Sequence, residues 1–249
     1  MHRFFIKENV INGKVVKIMG SDFNHISHSL RMQSGDKFIV NSGDGLDHLV
    51  EIQEISNDVV IAEIIKSQKN SNEPDISITL AQAIPKKSNM DLIVQKCTEI
   101  GINSIIPIET SRTIVKLNGK KLERRIYRWQ KIAEEAAKQS RRGKIPLIDD
   151  LYDLRKLHTR FEEYNLVLVL WEDEESIGIR ERLQQNNDLE KMKILIIIGP
   201  EGGFSVDEID YIKDKGGFSV TLGPRILRTE TAGFVALTSI LYQAGELGG

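Results

Sequence analysis

Leu222-Gly223-Pro224-Arg225-Ile226-Leu227-Arg228-Thr229-Glu230-Thr231-Ala232 ends an aliphatic run, turns at Gly-Pro and enters a helix-like segment. Ile198-Gly199-Pro200-Glu201-Gly202-Gly203 repeats that grammar a short way upstream. Two strand-to-helix corners of the same chemistry predict two loops at one carboxyl edge of a sheet. Open α/β folds bind their ligands at that edge.

Working outward, Leu166 to Leu170, Ile194 to Ile198 and Phe218 to Leu222 are nearly continuous aliphatic runs, the pattern of strands covered on both faces. Val206 to Lys215 and Thr229 to Ala244 read as the helices that follow the last two. Further upstream, Ile76 to Ile84 and Ser104 to Ile108 read as strands. Between them, Asn89 to Ile100 places Met90, Ile93, Val94, Cys97 and Ile100 on one helical face. Gly101 is suited to close that helix. Lys120 to Gln139 reads as a long helix, with Leu122, Ile126, Trp129, Ala133 and Ala136 at helical spacing. This alternation predicts a mostly parallel sheet with flanking helices over residues 75–249.

Residues 1–70 have a different rhythm. Arg3 to Ile6, Lys14 to Ile18, Asp36 to Val40, Asp47 to Ile55 and Val59 to Lys66 are short runs separated by Asn12-Gly13, Ser42-Gly43-Asp44-Gly45 and Asn57-Asp58. With one or two helical turns in His25 to Met32, they predict a small β-barrel or compact sandwich. Ser67 to Pro74 lacks apolar periodicity and reads as the linker.

The chain has 249 residues, a net charge of −2 and a single cysteine. That excludes an internal disulfide and suits a reducing compartment. No run resembles a signal peptide or is long enough to span a bilayer, which makes a cytoplasmic protein the expectation. The five histidines show no ligand spacing, so no metal site is expected.

The near-neutral total hides a local imbalance. Twelve Lys and Arg residues lie between Arg112 and Lys144, opposed by three Glu, an excess of nine positive charges. Such a run is commonly a solvated helix face, but one this one-sided also suits a phosphate backbone. At the second corner Thr229 reads as an N-cap, with Glu230 in the first turn. Arg228, beside the cap, has a planar fork that suits a carboxylate, a phosphate or a developing negative charge. Arg225 is a weaker candidate for the same task.

With these two corners, Arg3-Phe4-Phe5, His28-Ser29-Leu30-Arg31, Asn89 to Gly101 and Glu135 to Arg142, the sequence resembles the bacterial ribosomal RNA small-subunit methyltransferase E family over essentially its whole length. The resemblance implies a SPOUT-type domain with a trefoil knot, preceded by a PUA-like β-barrel. It also implies a homodimer and methylation, by S-adenosylmethionine, of N3 of one uridine in 16S ribosomal RNA, in the context of the small ribosomal subunit.

The cofactor pocket implied by the resemblance comprises Leu170, Glu172, Ile198, Gly199, Pro200, Glu201, Gly202, Gly203, Leu222, Gly223, Ile226, Leu227, Arg228, Thr231 and Ala232. Arg228 and Glu230 are the expected catalytic pair. Arg3, Arg31, Arg124, Arg125, Arg128, Arg141 and Arg142 are the expected RNA contacts. A ribose-modifying relative, a catalytically idle RNA-binding factor and a generic nucleotide-binding α/β protein are the alternatives.

Overall fold

A computed structural model describes residues 1–6, 11–186 and 188–248. The chain divides into two compact units, Met1–Glu73 with Ala137–Ile145, and Pro74–Ala136 with Pro146–Gly249.

The first unit is built on six strands: β1 (Arg3–Phe5), β2 (Ile11–Asn12), β3 (Val15–Met19), β4 (Lys37–Asn41), β5 (Leu46–Ile55) and β6 (Val59–Lys69). The sheet order is β1-β4-β5-β6-β3-β2, antiparallel throughout except for β1 alongside β4. Alternation decides what is buried: Val16 and Ile18, Phe38 and Val40, Val50 and Ile52, Val60 and Ala62 face one core. The short helix α1 (Gly20–Asn24) and a wider turn, His25–Ser29, close that core with Phe23 and Ile26. Two register shifts between β5 and β6 mark bulges, which bend the strands they interrupt and curl the sheet.

The expected linker is only partly a linker. Ser67 to Lys69 complete β6, pairing with Leu46 to His48, and Asn70 is buried, its amide donating to Asp47 at 3.0 Å. Ladder and side-chain hydrogen bonds order this segment without apolar periodicity.

The second unit runs β7 (Ser77–Ala83), α2 (Asn89–Ile100), β8 (Ser104–Glu109), α3 (Gly119–Gln139, its last turn falling in the first unit), β9 (Leu147–Ile148), β10 (Tyr152–Asp153) and α4 (Leu154–Leu157). A 3-10 turn at His158–Glu163 follows. Then come β11 (Leu166–Leu170), α5 (Ile179–Gln184), β12 (Lys193–Ile198), α6 (Val206–Asp214), β13 (Phe218–Val220) and α7 (Thr229–Gln243). The strands form one parallel sheet in the order β10-β8-β7-β12-β11-β13, with β9 also against β8. Every residue of β11 is buried, as is every residue of β12 after Lys193, as their unbroken aliphatic composition requires.

Cys97 lies on the buried face of α2, where burial pushes its thiol pKa up. Asp91 joins α2 to α3, accepting from the Trp129 indole at 3.1 Å and pairing with Arg128 at 2.6 Å.

The last strand is shorter than its composition suggests. Beyond Val220 the chain leaves β11, and Thr221 exchanges backbone hydrogen bonds with Ile177 and Ile179, forming a single bridge with Gly178. Strand registers place Leu170 opposite both Ile198 and Val220, and Ile198 opposite Gln82. The loops that leave β7, β11, β12 and β13 therefore emerge at one edge.

Candidate functional site

Those loops enclose a cleft of about 1070 Å³, within the range of small-molecule sites. Both Gly-Pro corners line it. Leu170, Glu172, Ile198, Gly199, Pro200, Glu201, Gly203, Leu222, Gly223, Ile226, Leu227, Arg228 and Ala232 all face the cleft, as does Glu230. Gly202 and Thr231 are absent from its wall. The carbonyl of Gly202 instead accepts from Arg112 at 2.7 Å, which ties the loop to the segment after β8.

The first corner is held from several sides. Ser205 caps α6, and Glu208 completes a capping box. The Glu208 carboxylate, buried to 5% exposure, also accepts from the backbone N–H of Ser111 at 2.7 Å. Glu201 accepts from the backbone N–H of Lys86 at 2.8 Å. Gly203 has φ +67°, and a Cβ there would lie 1.8 Å from a Glu172 carboxylate oxygen. Glycine holds that left-handed position under the glutamate without strain.

The second corner corrects the expected cap. The N-cap of α7 is Arg228, in extended conformation, whose carbonyl accepts from Thr231 and Ala232. Thr229 lies one position inside the helix with its hydroxyl turned into the protein, donating to the Gly199 carbonyl at 2.6 Å. A partner supplied by the neighbouring loop outcompetes the local capping geometry. The Arg228 guanidinium remains 86% exposed and stands 4.0 Å from Glu230, whose side chain is 15% exposed.

Sequence reasoning missed Lys86, Lys87 and Asn89 after β7 and Glu174 and Glu175 after β11, all of which line the cleft. One signal was present in the sequence: the parallel strand before Asn89 had to end at the same edge. A hydrogen bond from the Ser219 hydroxyl and the Ser176 backbone holds the Glu174 carboxyl below the usual carboxylate range, with Lys213 nearby.

The expected RNA contacts separate into two groups. Lys120, Lys121, Arg124, Arg125 and Arg128 share one surface of α3, where the Arg128 charge is offset by Asp91. Arg31 and Arg141 are exposed. Arg3 is only partly exposed and Arg142 is buried. Arg3 forms a two-pronged pair with Asp47, and Arg142 pairs with Glu73 at 2.8 Å, the two side chains 3% and 5% exposed. Each neutralises a buried carboxylate.

The fold and its edge cleft define a class. The family model for the RNA methyltransferase domain matches residues 72–241, and that for the RNA methyltransferase PUA domain matches 18–70. The chain is 35% identical to ribosomal RNA small subunit methyltransferase E of Bacillus subtilis, over all of this chain and 99% of that one. A solved structure of ribosomal RNA small subunit methyltransferase E from Neisseria gonorrhoeae, bound to S-adenosyl methionine, superimposes with a TM-score of 0.82 at 28% identity, over 97% of each chain. A Legionella pneumophila methyltransferase in complex with the same cofactor gives 0.80 at 29% identity, over 96% of each. The chain belongs to the ribosomal RNA small subunit methyltransferase E family.

Proposed function

We propose that this protein transfers a methyl group from S-adenosylmethionine to N3 of one uridine in 16S ribosomal RNA, acting as a homodimer on the small ribosomal subunit or its precursor. The observation that carries this reading is the convergence of both Gly-Pro corners on one cleft, with Arg228 and Glu230 on its wall. The cleft fits the cofactor chemically. Leu170, Ile198, Leu222 and Leu227 supply apolar surface for a base, Gly203 brings backbone close, and the carboxylates suit a cationic ligand. When bound, S-adenosylmethionine supplies a methyl group already activated by its positive sulfur.

The protein's task is then alignment and proton management. Uridine N3 carries a proton at neutral pH that must leave as the new bond forms. Arg228 donates to the uracil carbonyl oxygens, where negative charge gathers as that proton departs. Glu230, half-buried and 4.0 Å from Arg228, is the candidate acceptor for the proton. The target base leaves its stack to reach the cleft, as chemistry on a base requires. The basic surface of α3, with Arg31 and Arg141, contacts the phosphate backbone, so RNA affinity falls steeply with salt. In this reading residues 1–70 form the RNA-binding barrel and 75–249 the methyltransferase domain.

The SPOUT-type knot draws support from connectivity. β13 lies at the sheet edge, yet α7 packs on α2, α5, β12 and β7, so the chain after β13 must cross β11. The homodimer draws support from α7, which is apolar on most sides, with Phe234 and Val235 only half-buried. No helix among the described residues is long and apolar enough to cross a membrane. A ribosomal substrate makes the cytoplasm the site of action.

Primer extension on ribosomal RNA from cells lacking the protein tests the reading, because methylation at N3 blocks pairing and stops the polymerase. Loss of one stop, restored by the purified protein with cofactor, is expected. Arg228→Ala should lower turnover about 100-fold or more while cofactor affinity changes little. A loss confined to cofactor binding would remove Arg228 from the chemistry.

A further inference from the structure

We propose that Gln82 and Thr229 form a buried relay that sets the catalytic corner in register with the cofactor loop, and that both are positioning residues for methyl transfer. The inference rests on the function proposed above. Gln82, near the end of β7, is fully buried, and Thr229, the first residue of α7, is 6% exposed. The Gln82 amide nitrogen donates to the Thr229 hydroxyl at 2.9 Å and to the Ala83 carbonyl at 3.0 Å. The Thr229 hydroxyl donates in turn to the Gly199 carbonyl at 2.6 Å. Three segments distant in sequence are thereby joined through one oxygen.

The direction of the relay is determined by its ends. Both carbonyls can only accept, so the Thr229 proton must point to Gly199 and the Gln82 amide must present its nitrogen. The other amide atom, Gln82 Oε1, is buried without a hydrogen-bond partner. A buried orphan acceptor is costly, and leucine at this position would avoid it. Its presence indicates that the two donated bonds are what the position serves.

The relay ends where the chemistry begins. Arg228, Thr229 and Glu230 all line the cleft, so the bonds that pin the Thr229 hydroxyl fix the short segment that carries both neighbours. The anchor is itself closely packed. A Cβ on Gly199 would meet the Phe204 ring at 3.0 Å, so that ring packs directly against the loop. Lateral slack between the corners would separate methyl donor from acceptor, and misplacement by 1 Å can cost a factor on the order of 100 in rate.

The test measures steady-state methylation of ribosomal RNA for Thr229→Val, Thr229→Ser and Gln82→Leu, alone and with Arg228→Ala. Thr229→Val, nearly isosteric but without the hydroxyl, should lower kcat at least about tenfold. Thr229→Ser should recover most of it, and Gln82→Leu should fall in the same direction. In the Arg228→Ala background, Thr229→Val should change kcat by a smaller factor than in the wild-type background, because part of its effect passes through that arginine. Hydrogen exchange on the same variants supplies a readout independent of activity: Thr229→Val should loosen Gly199–Gly203 together with Arg228–Ala232. A lowered Tm with unchanged kcat, serine no better than valine, full additivity with Arg228→Ala, or loosening confined to α7 would each overturn the proposal. If wild-type protein transfers no methyl group to RNA, the proposed function fails, and the exchange measurement still decides whether the relay couples the loops.

Discussion

Arg142 lies in the most basic stretch of the chain and yet should prove a stability residue. Its guanidinium donates to Glu73 from Nε at 3.1 Å and from Nη2 at 2.8 Å, and the same carboxylate accepts from the backbone N–H groups of Gly143 and Lys144. Both side chains are almost fully buried, so Arg142→Met would leave a carboxylate inside the protein without its counter-charge. Breaking a buried pair from one side costs about 3–5 kcal/mol. For domains of roughly 60–100 residues, 1 kcal/mol moves the midpoint about 4–8 °C, which gives a fall of at least about 12 °C for the first unit. Both tryptophans, Trp129 and Trp171, lie in the second unit. Circular dichroism should therefore show an early transition that tryptophan fluorescence does not follow. At temperatures where the variant is folded, the salt dependence of RNA binding should match wild type. A midpoint within about 2 °C of wild type, or a reduced salt slope, would refute the buried-pair account.

Two further outcomes follow from the cleft walls. Gly203→Ala places a methyl group against Glu172 in a left-handed backbone. That strains the loop by about 1–2 kcal/mol and should weaken S-adenosylmethionine roughly tenfold by calorimetry, a tenfold change being 1.4 kcal/mol. An unchanged Kd for the Gly203→Ala protein would place the loop outside the site. Ser219→Ala removes the main cause of the lowered Glu174 pKa. A carboxyl that titrates lower when folded than when unfolded adds stability above the ordinary carboxylate range and loses it as pH falls through its folded pKa. The variant should be less stable than wild type at pH 7 by about 1 kcal/mol, with the gap narrowing as pH drops below about 4. A gap that is constant with pH in urea titrations would contradict this.

Much of the architecture was legible in the residues because its causes are local. β11 and β12 are aliphatic without interruption, and α2 repeats its apolar residues at helical spacing, so each declares its type and its buried faces. Parallel strands must all end at one edge, and two Gly-Pro corners after such strands place most of the cleft from local sequence alone. Tertiary structure alone assigned the partners. Arg142 meets a glutamate 69 residues away, and Thr229 takes a bond from Gln82 across 147 residues in place of capping its own helix. Composition shows that a charge or a hydroxyl is present but not which group lies beside it once the chain has closed. For that reason Arg124 and Arg142, alike in the sequence, end as an exposed cation and a buried one.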